Sequence, residues 1–456
     1  MGEGAAAATT AAAASARSVL PEARMDDRAG EGLPADGASP DGSPAEGLYV
    51  HFPLCVSLCP YCDFVVFAGA AARGPGNRIT AIFEALLTEL DLRAALLPSD
   101  RRPPLASVYL GGGTPSLLTA DQVGRLLDRI RVRLGLADDA EVTLEANPGA
   151  DEVGDLAAFR AAGVTRLSIG AQSLDGSELR RLGRRHRPSD VVAAMSGARR
   201  AGFASISLDL LADVPGQSLG SWRRTLSMAL DLGPDHLSVY SLTLDDPDAD
   251  GLTGPLGDHL PLRGGARAWR QRARAEQSDE RAAEMELVTD ELAATAGLVR
   301  YEIANLARPG HESRHNLLYW QRRPHLAIGP GAHAFDGART RSWNAALLAP
   351  YVAALRAGRL PPGDREVVDE ATALAETAML GLRLVEGIDA ALASHPELRP
   401  ALDWARSHGL AEDRAGRTCL TQPGRLVANE VFERLLPAAP RDRPSSRAHA
   451  PVVAGA

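Results

Sequence analysis

The sequence predicts an α/β fold: a partial, open (β/α)6 barrel followed by a small, mostly helical, winged-helix-like C-terminal domain. Three observations carry this. Short β-branched runs recur at 48–52, 107–110, 142–146, 166–169, 205–211 and 236–244, separated by longer amphipathic segments such as 121–134 and 218–232. Such alternation marks βα units and a parallel sheet, and six strands fall short of a closed eightfold barrel. From 364 to 436 helical patterns return around a short strand-like turn at 418–422, which predicts the second domain.

Taken in order, residues 1–46 are Ala, Gly, Pro, Asp and Ser with almost no large apolar side chain, and read as a disordered tail. Its Ala and Thr run behind Glu3 makes a poor signal peptide, its acidic residues argue against a transit peptide, and Met25 is an alternative start. The barrel is expected over 47–245, with functional groups at the C-terminal ends of its strands. An extension over 246–345 follows. Its charged stretch at 268–298 reads as one helix or two with a solvated face, and 301–345 as irregular chain. The C-terminal domain occupies 346–437 and a second loose tail 438–456; beyond the βα alternation there is no internal repeat.

Composition excludes several classes. The 456 residues, 45% hydrophobic and 23% charged, suffice for a core without disulfide staples. Forty-nine basic against 58 acidic residues leave −9, which argues against a general nucleic-acid binder. Every basic residue is arginine, which beside the Ala, Gly and Pro richness reflects coding bias rather than function. No apolar run approaches the roughly 18 residues of a membrane span, so an integral membrane protein is not expected. Of four cysteines, three fall within eight residues, a pattern unlike a secreted disulfide framework; it points to the cytoplasm and one cysteine-built site.

That site is Cys55, Cys59 and Cys62, directly after the first strand. Thiolates are soft ligands for zinc or an iron–sulfur cluster. Three on one loop can hold three irons of a cubane and leave the fourth for an exchangeable ligand with adjacent amine and carboxylate. S-adenosylmethionine has that group, and an electron from the cluster can cleave it to a 5′-deoxyadenosyl radical. Two other readings stand: zinc on the three cysteines with His51, and three buried, inert thiols. Gly111, Gly112 and Gly113, with Thr114, end the second strand and could expose amides to a ligand carboxylate, or merely form a tight turn. Glu145 and Asn147 end the third strand, Gln172 ends the fourth, and Asp209 sits in the fifth, with Arg184 twelve residues after Gln172. These could converge on one mouth and hold an amine or ribose, or serve as caps and ion pairs.

These residues together resemble the radical S-adenosylmethionine superfamily, and within it the coproporphyrinogen oxidase-like group of oxygen-independent oxidases and HemW-type heme chaperones. The resemblance runs from about 48 to 436. It is carried by Tyr49-Val-His51-Phe-Pro53, the cysteine triplet, Gly111-Gly-Gly-Thr-Pro115, Glu145-Ala-Asn-Pro148, Gly170-Ala-Gln172-Ser, Asp209-Leu-Leu and Leu237-Ser-Val-Tyr-Ser241. It implies that Cys55, Cys59 and Cys62 bind a [4Fe-4S] cluster, and that Tyr49, Tyr61, Gly112, Gly113, Thr114, Glu145, Gln172, Arg184, Asp209 and Thr243 contact S-adenosylmethionine. Leu54 replaces the usual Phe before the first cysteine, Thr243 is larger than its usual counterpart, and 245–280 departs from the group's pattern.

Two features divide the branches. The oxidase has a further Cys two residues after the third cluster Cys, where this chain has Phe64; the chaperone branch has His-Asn-x-x-Tyr-Trp, here His315, Asn316, Tyr319 and Trp320. Segments 301–305, 329–333 and 420–429 resemble the chaperone branch too. The resemblance therefore implies a heme chaperone that binds heme, the cluster and S-adenosylmethionine and passes heme to an acceptor protein, with flavodoxin or ferredoxin as a reductant. The alternative is an oxygen-independent coproporphyrinogen III oxidase, and a third is a radical enzyme on another substrate; whether the chain is an enzyme stays open. His315 is a candidate heme ligand with aromatic neighbours to stack on the porphyrin, against the plain reading of a His and two aromatics filling a domain junction. Cys419 reads as a buried thiol.

Overall fold

The structure, a computed structural model, describes residues 44–97 and 103–437. The expected tails, except 44–46, and Met25 lie outside the described residues. All six strands the sequence predicts are present, in chain order and parallel: β1 (Gly47–Phe52), β2 (Leu105–Gly112), β3 (Leu136–Ala146), β4 (Arg166–Gln172), β5 (Ser205–Ala212) and β6 (His236–Ser241). Between them run α1 (Ile79–Leu96), α2 (Ala120–Arg133), α3 (Leu156–Ala161), α4 (Gly176–Arg181), α5 (Pro188–Arg200) and α6 (Leu219–Asp231). Thr119 and Gln122 close a reciprocal capping box that starts α2.

Side chains alternate across these strands, and the alternation makes the site. Leu48, Val50 and Phe52, Val108 and Leu110, Val142 and Leu144, Leu167 and Ile169, and Ile206 and Leu208 join Leu86, Leu126 and Trp222 of the helices in one core. The intervening residues are polar and bond to one another: Tyr49 to His51, Tyr109 to Glu145, and Ser168 and Ser207 to Asp209. The sheet is thus greasy toward its helices and polar on its other face.

The sheet continues where the sequence pattern suggests irregular chain. Beyond β6 lie β7 (Val299–Arg300) and β8 (Asn305–Ala307), with β8 antiparallel to β6 and to β7. On the opposite edge β9 (His325–Ile328) returns parallel to β1, followed by antiparallel β10 (His333–Phe335), β11 (Thr340–Asn344) and β12 (Gly363–Val367). The twelve-stranded order is β12-β11-β10-β9-β1-β2-β3-β4-β5-β6-β8-β7. These added strands are two to five residues long, too short to offer an apolar period to read. The sheet therefore crosses the expected boundaries at 245 and 345, and β6 stops at Ser241 rather than at 244.

The charged stretch forms two helices, α7 (Gly264–Arg274) and α8 (Asp279–Thr295), with Ser278 capping the second. It is not wholly solvated, because Arg270, Met285, Val288 and Thr289 are buried. After α9 (Arg314–Trp320) and α10 (Leu348–Arg356) come α11 (Glu370–Arg383), β13 (Ile388–Asp389), α12 (Arg399–Ser407), β14 (Ala411–Arg414), β15 (Arg417–Leu420) and α13 (Ala428–Leu435). The three strands pair antiparallel in the order β13-β15-β14, the helix–strand–helix–hairpin order of a winged helix, over a core of Leu382, Leu398, Leu402, Val431 and Phe432. Cys419 is buried there, its thiol donating to the Glu386 carbonyl at 3.2 Å. No helix among the described residues is long and apolar enough to cross a membrane.

Candidate cofactor site at the barrel mouth

The loop after β1 carries all three site cysteines. Leu54–Cys55 pairs with Phe67–Ala68, which closes the loop back on itself, and the Cys62 amide donates to the Cys59 carbonyl at 3.2 Å. The thiols line one cavity of about 860 Å³, counting the space open to solvent at its mouth. Tyr61, Gly112, Gly113, Glu145, Asn147, Gln172, Arg184 and Asp209 line it too.

Each strand end contributes for a local reason. Gly112 has φ +102, and a Cβ there would lie 2.4 Å from the His51 ring, so only glycine lets the end of β2 lie this close to β1. The Gly113 and Thr114 amides donate to the Phe52 and Leu54 carbonyls, both at 2.8 Å, locking the glycine turn to that loop. The Thr114 hydroxyl donates to the Cys55 sulfur at 3.4 Å and accepts from Asn147 at 3.0 Å. Gln172 sits in the left-handed region, φ 63, where the β4–β5 register shifts between Ile169 and Gln172. A glutamine held there is strained, as functional strand ends often are.

The electrostatics oppose charge in the lining. Burial pushes the Cys55 thiol up to about 12 and the Cys62 thiol well above its ordinary range. A bound cation offsets this cost, since coordination deprotonates a thiol outright. Burial also lifts Glu145 to about 7, although the Tyr109 hydroxyl and Gly112 amide, at 2.9 and 3.0 Å, favour its charged form. Asp209 rises to about 6 by burial, against donors from Ser168 and Ser207. Arg184 donates to the Cys59 sulfur at 3.6 Å and to the Gly170 carbonyl at 2.8 Å. Burial works against its charge, but Tyr61 and Cys59 more than offset that and raise its pKa.

Three thiols with one open, amine- and hydroxyl-binding wall fit a cluster with an exchangeable ligand. They do not fit zinc with His51. That ring is buried with both nitrogens engaged, by the Tyr49 hydroxyl at 3.0 Å and the Val65 carbonyl at 2.8 Å. Among the described residues no three His, Cys, Asp or Glu side chains converge on a single-ion site.

The other expected contacts divide. Tyr49 is buried beneath His51 and Thr114 behind Cys55, each supporting the wall rather than lining it. Thr243 does not line the cavity: it lies past the end of β6, exposed, its hydroxyl donating to the Ser241 carbonyl at 3.4 Å. His315 is fully buried on α9, far from a free coordination position. Its Nδ1 meets the Ser107 hydroxyl at 2.9 Å and its Nε2 the Tyr319 hydroxyl at 2.8 Å, and its pKa is pushed down to about 3 by burial. Asn316 and Trp320 are buried with it, and the Arg383 guanidinium of α11 lies 4.2 Å from the centre of the Trp320 ring. In this conformation the motif packs the junction between barrel and C-terminal domain, and His315 offers iron no nitrogen.

Sequence reasoning missed Arg270. Nearly buried on α7, it donates from Nε to the Pro60 carbonyl at 3.1 Å and from Nη2 to the Tyr61 and Cys62 carbonyls at 3.0 and 3.1 Å, and it also pairs with Asp63. One guanidinium thus pins the cysteine loop. The one signal in sequence was an arginine among many on a charged helix, which points nowhere. Arg270→Gln is expected to leave the chain folded but to shorten the lifetime of a reconstituted cluster about tenfold, as loss of outer-shell support does elsewhere, followed by the decay of cluster absorbance in air-free buffer with chelator.

Fold and site together define a protein of the radical S-adenosylmethionine class: the profile of the Radical SAM superfamily matches residues 49–229, and that of the HemN C-terminal domain residues 368–427. The chain is 36% identical over 390 residues to the heme chaperone HemW of Mycobacterium tuberculosis H37Rv, covering 86% of this chain and 94% of that one. It is 33% identical over 408 residues to the heme chaperone HemW of Escherichia coli K12, covering 86% and 98%. The solved coproporphyrinogen III oxidase HemN of Escherichia coli shares the fold, with a TM-score of 0.70 over 88% of this chain and 92% of that one, at 22% identity. The chain belongs to the HemW family.

Proposed function

We propose that this chain is a heme chaperone: it holds a [4Fe-4S] cluster on Cys55, Cys59 and Cys62, binds S-adenosylmethionine in the same cavity, and passes heme to an acceptor protein in the cytoplasm. The observation that carries this is the match to heme chaperones over nearly their whole length, 94% and 98% of the two relatives above. A cluster with S-adenosylmethionine supplies one-electron reductive chemistry at a sulfonium. The chain's own residues do the rest. Glu145 would accept an N–H of the ligand's amine and Asp209 and Gln172 would accept from its hydroxyls, while Arg184 holds Asn147 and the Cys59 sulfur in place. Phe64 puts an apolar ring, not a further thiol, on the cavity wall. A flavodoxin or ferredoxin would deliver the electron.

The test is anaerobic. The reconstituted protein is titrated with heme and, in parallel, incubated with coproporphyrinogen III, S-adenosylmethionine and a reductant. Heme binding near one per chain, with no decarboxylated product, is expected. Decarboxylation without tight heme binding would replace this reading with that of a coproporphyrinogen III oxidase.

A further inference from the structure

We propose that His259, oriented by Asp258, is the protein's ligand to the iron of a heme docked beside the cysteine loop; this rests on the heme-chaperone reading. Asp258 is buried and its carboxylate accepts two imidazole N–H groups, from His259 Nδ1 at 2.9 Å and from His333 Nε2 at 2.9 Å. Burial alone would raise this carboxyl, but the two imidazoles hold it well below the usual carboxylate range. His259 Nε2 has no hydrogen-bond partner among the described residues, and the side chain is 10% exposed. An imidazole whose Nδ1–H is tied to a carboxylate, with Nε2 free, is the arrangement in which histidine ligates metals: the carboxylate sets the tautomer, the ring orientation and the basicity of the free nitrogen.

The surroundings select the kind of metal. No three His, Cys, Asp or Glu side chains among the described residues converge on one ion, so a bare cation finds one nitrogen and little else. Iron that arrives already held by four porphyrin nitrogens needs only one protein ligand. The loop is also rigidly placed. His333 stacks on Trp343 with ring centres 5.8 Å apart, Trp343 donates to the Leu256 carbonyl at 3.1 Å, and the Ala346 amide donates to the Gly257 carbonyl at 2.8 Å. A Cβ on Gly331 would meet both Val65 of the cysteine loop and the Asp258 carbonyl, which puts the two loops side by side. Each carries a large apolar side chain in the open, Phe64 and Leu256, 36% and 48% exposed, which a porphyrin face would cover. His315, by contrast, has both ring nitrogens engaged.

Ferric heme is titrated into the full-length protein and into His259→Ala, His333→Ala and His315→Ala, and the Soret band, the affinity and the electron paramagnetic resonance of the iron are read. Wild type is expected to show imidazole-ligated iron. His259→Ala is expected to lose that ligation with about a tenfold or greater loss of affinity, and free imidazole is expected to restore the spectrum, which a misfolded variant would not allow. His315→Ala is expected to keep the ligation. An unchanged His259→Ala spectrum and affinity overturns the proposal while leaving the chaperone reading intact, as does a loss that imidazole does not rescue. Wild type that takes up no heme overturns both.

Discussion

Cys59→Ala is expected to abolish the cluster. Iron and sulfide in the reconstituted variant should fall to about a tenth of wild type or less, because two thiolates cannot hold three cluster irons against competing thiols in solution. Cys59→Ser should behave similarly, since a harder alkoxide is a poor substitute. Secondary structure should be unchanged: the three cysteines sit in the loop after β1 and do not belong to the hydrophobic core that joins sheet to helices. Circular dichroism, iron and sulfide analysis and the visible spectrum check this in one preparation. The Arg184–Cys59 contact makes Cys59 the informative choice. Losing it frees a buried guanidinium, so apo Cys59→Ala should unfold at slightly lower denaturant than apo Cys62→Ala. A variant that still assembled a full cluster would mean that a ligand outside this loop completes it.

The barrel and its cofactor wall were legible because their signals are local. Each parallel strand is a short β-branched run, Gly112, Glu145 and Gln172 stand at strand C-terminal ends, and a resemblance spread over seven motifs joined them to the cysteine loop, Arg184 and Asp209. What was not legible depends on contacts distant in sequence. The strands β7 to β12 are two to five residues long, too short for period-2 alternation or a long apolar run to mark them. Arg270 acts on Pro60, Tyr61 and Cys62, about 210 residues away, and nothing in a helix with several other arginines singles it out. Tyr49 and Thr114 matched contact positions, yet burial turned them into supports. Thr243 missed the cavity because β6 ends two residues before it, so the chain has already turned outward. The resemblance makes His315 a candidate heme ligand where its residues alone read as junction filling, and only the structure reveals that Ser107 and Tyr319 occupy its nitrogens.

Glu145→Gln is expected to trade function for stability, and the trade has a pH signature. Burial raises the Glu145 carboxyl to about 7 in the folded chain, against about 4.3 when unfolded. The folded state therefore holds this proton more tightly than the unfolded state does. Between those values unfolding releases it, so the group's contribution to stability falls as pH rises, and the full penalty is present above about pH 7. The shift corresponds to about 3–4 kcal/mol, an upper bound for a side chain that opens on a cavity. Glutamine keeps the shape, its oxygen still accepting from the Gly112 amide while its NH2 donates to the Tyr109 hydroxyl, and it removes the charge penalty. The apo variant should be more stable than wild type at pH 8 by about 1–3 kcal/mol, and indistinguishable from it near pH 4.5. Binding runs the other way. The charged carboxylate would accept from the ligand's amine N–H and lie beside its cationic sulfonium, which would offset its burial, so S-adenosylmethionine should bind wild type more tightly as pH rises from about 5.5 to 7.5, and Glu145→Gln should lose about tenfold or more in affinity together with that pH dependence. Denaturant titrations of the apo protein and calorimetric titration of S-adenosylmethionine into the anaerobic, cluster-loaded protein check the two halves separately. Flat wild-type affinity across that pH range, with Glu145→Gln binding as tightly, would remove Glu145 from the amine-binding role and leave its carboxylate only the Tyr109 hydroxyl and the Gly112 amide to hold.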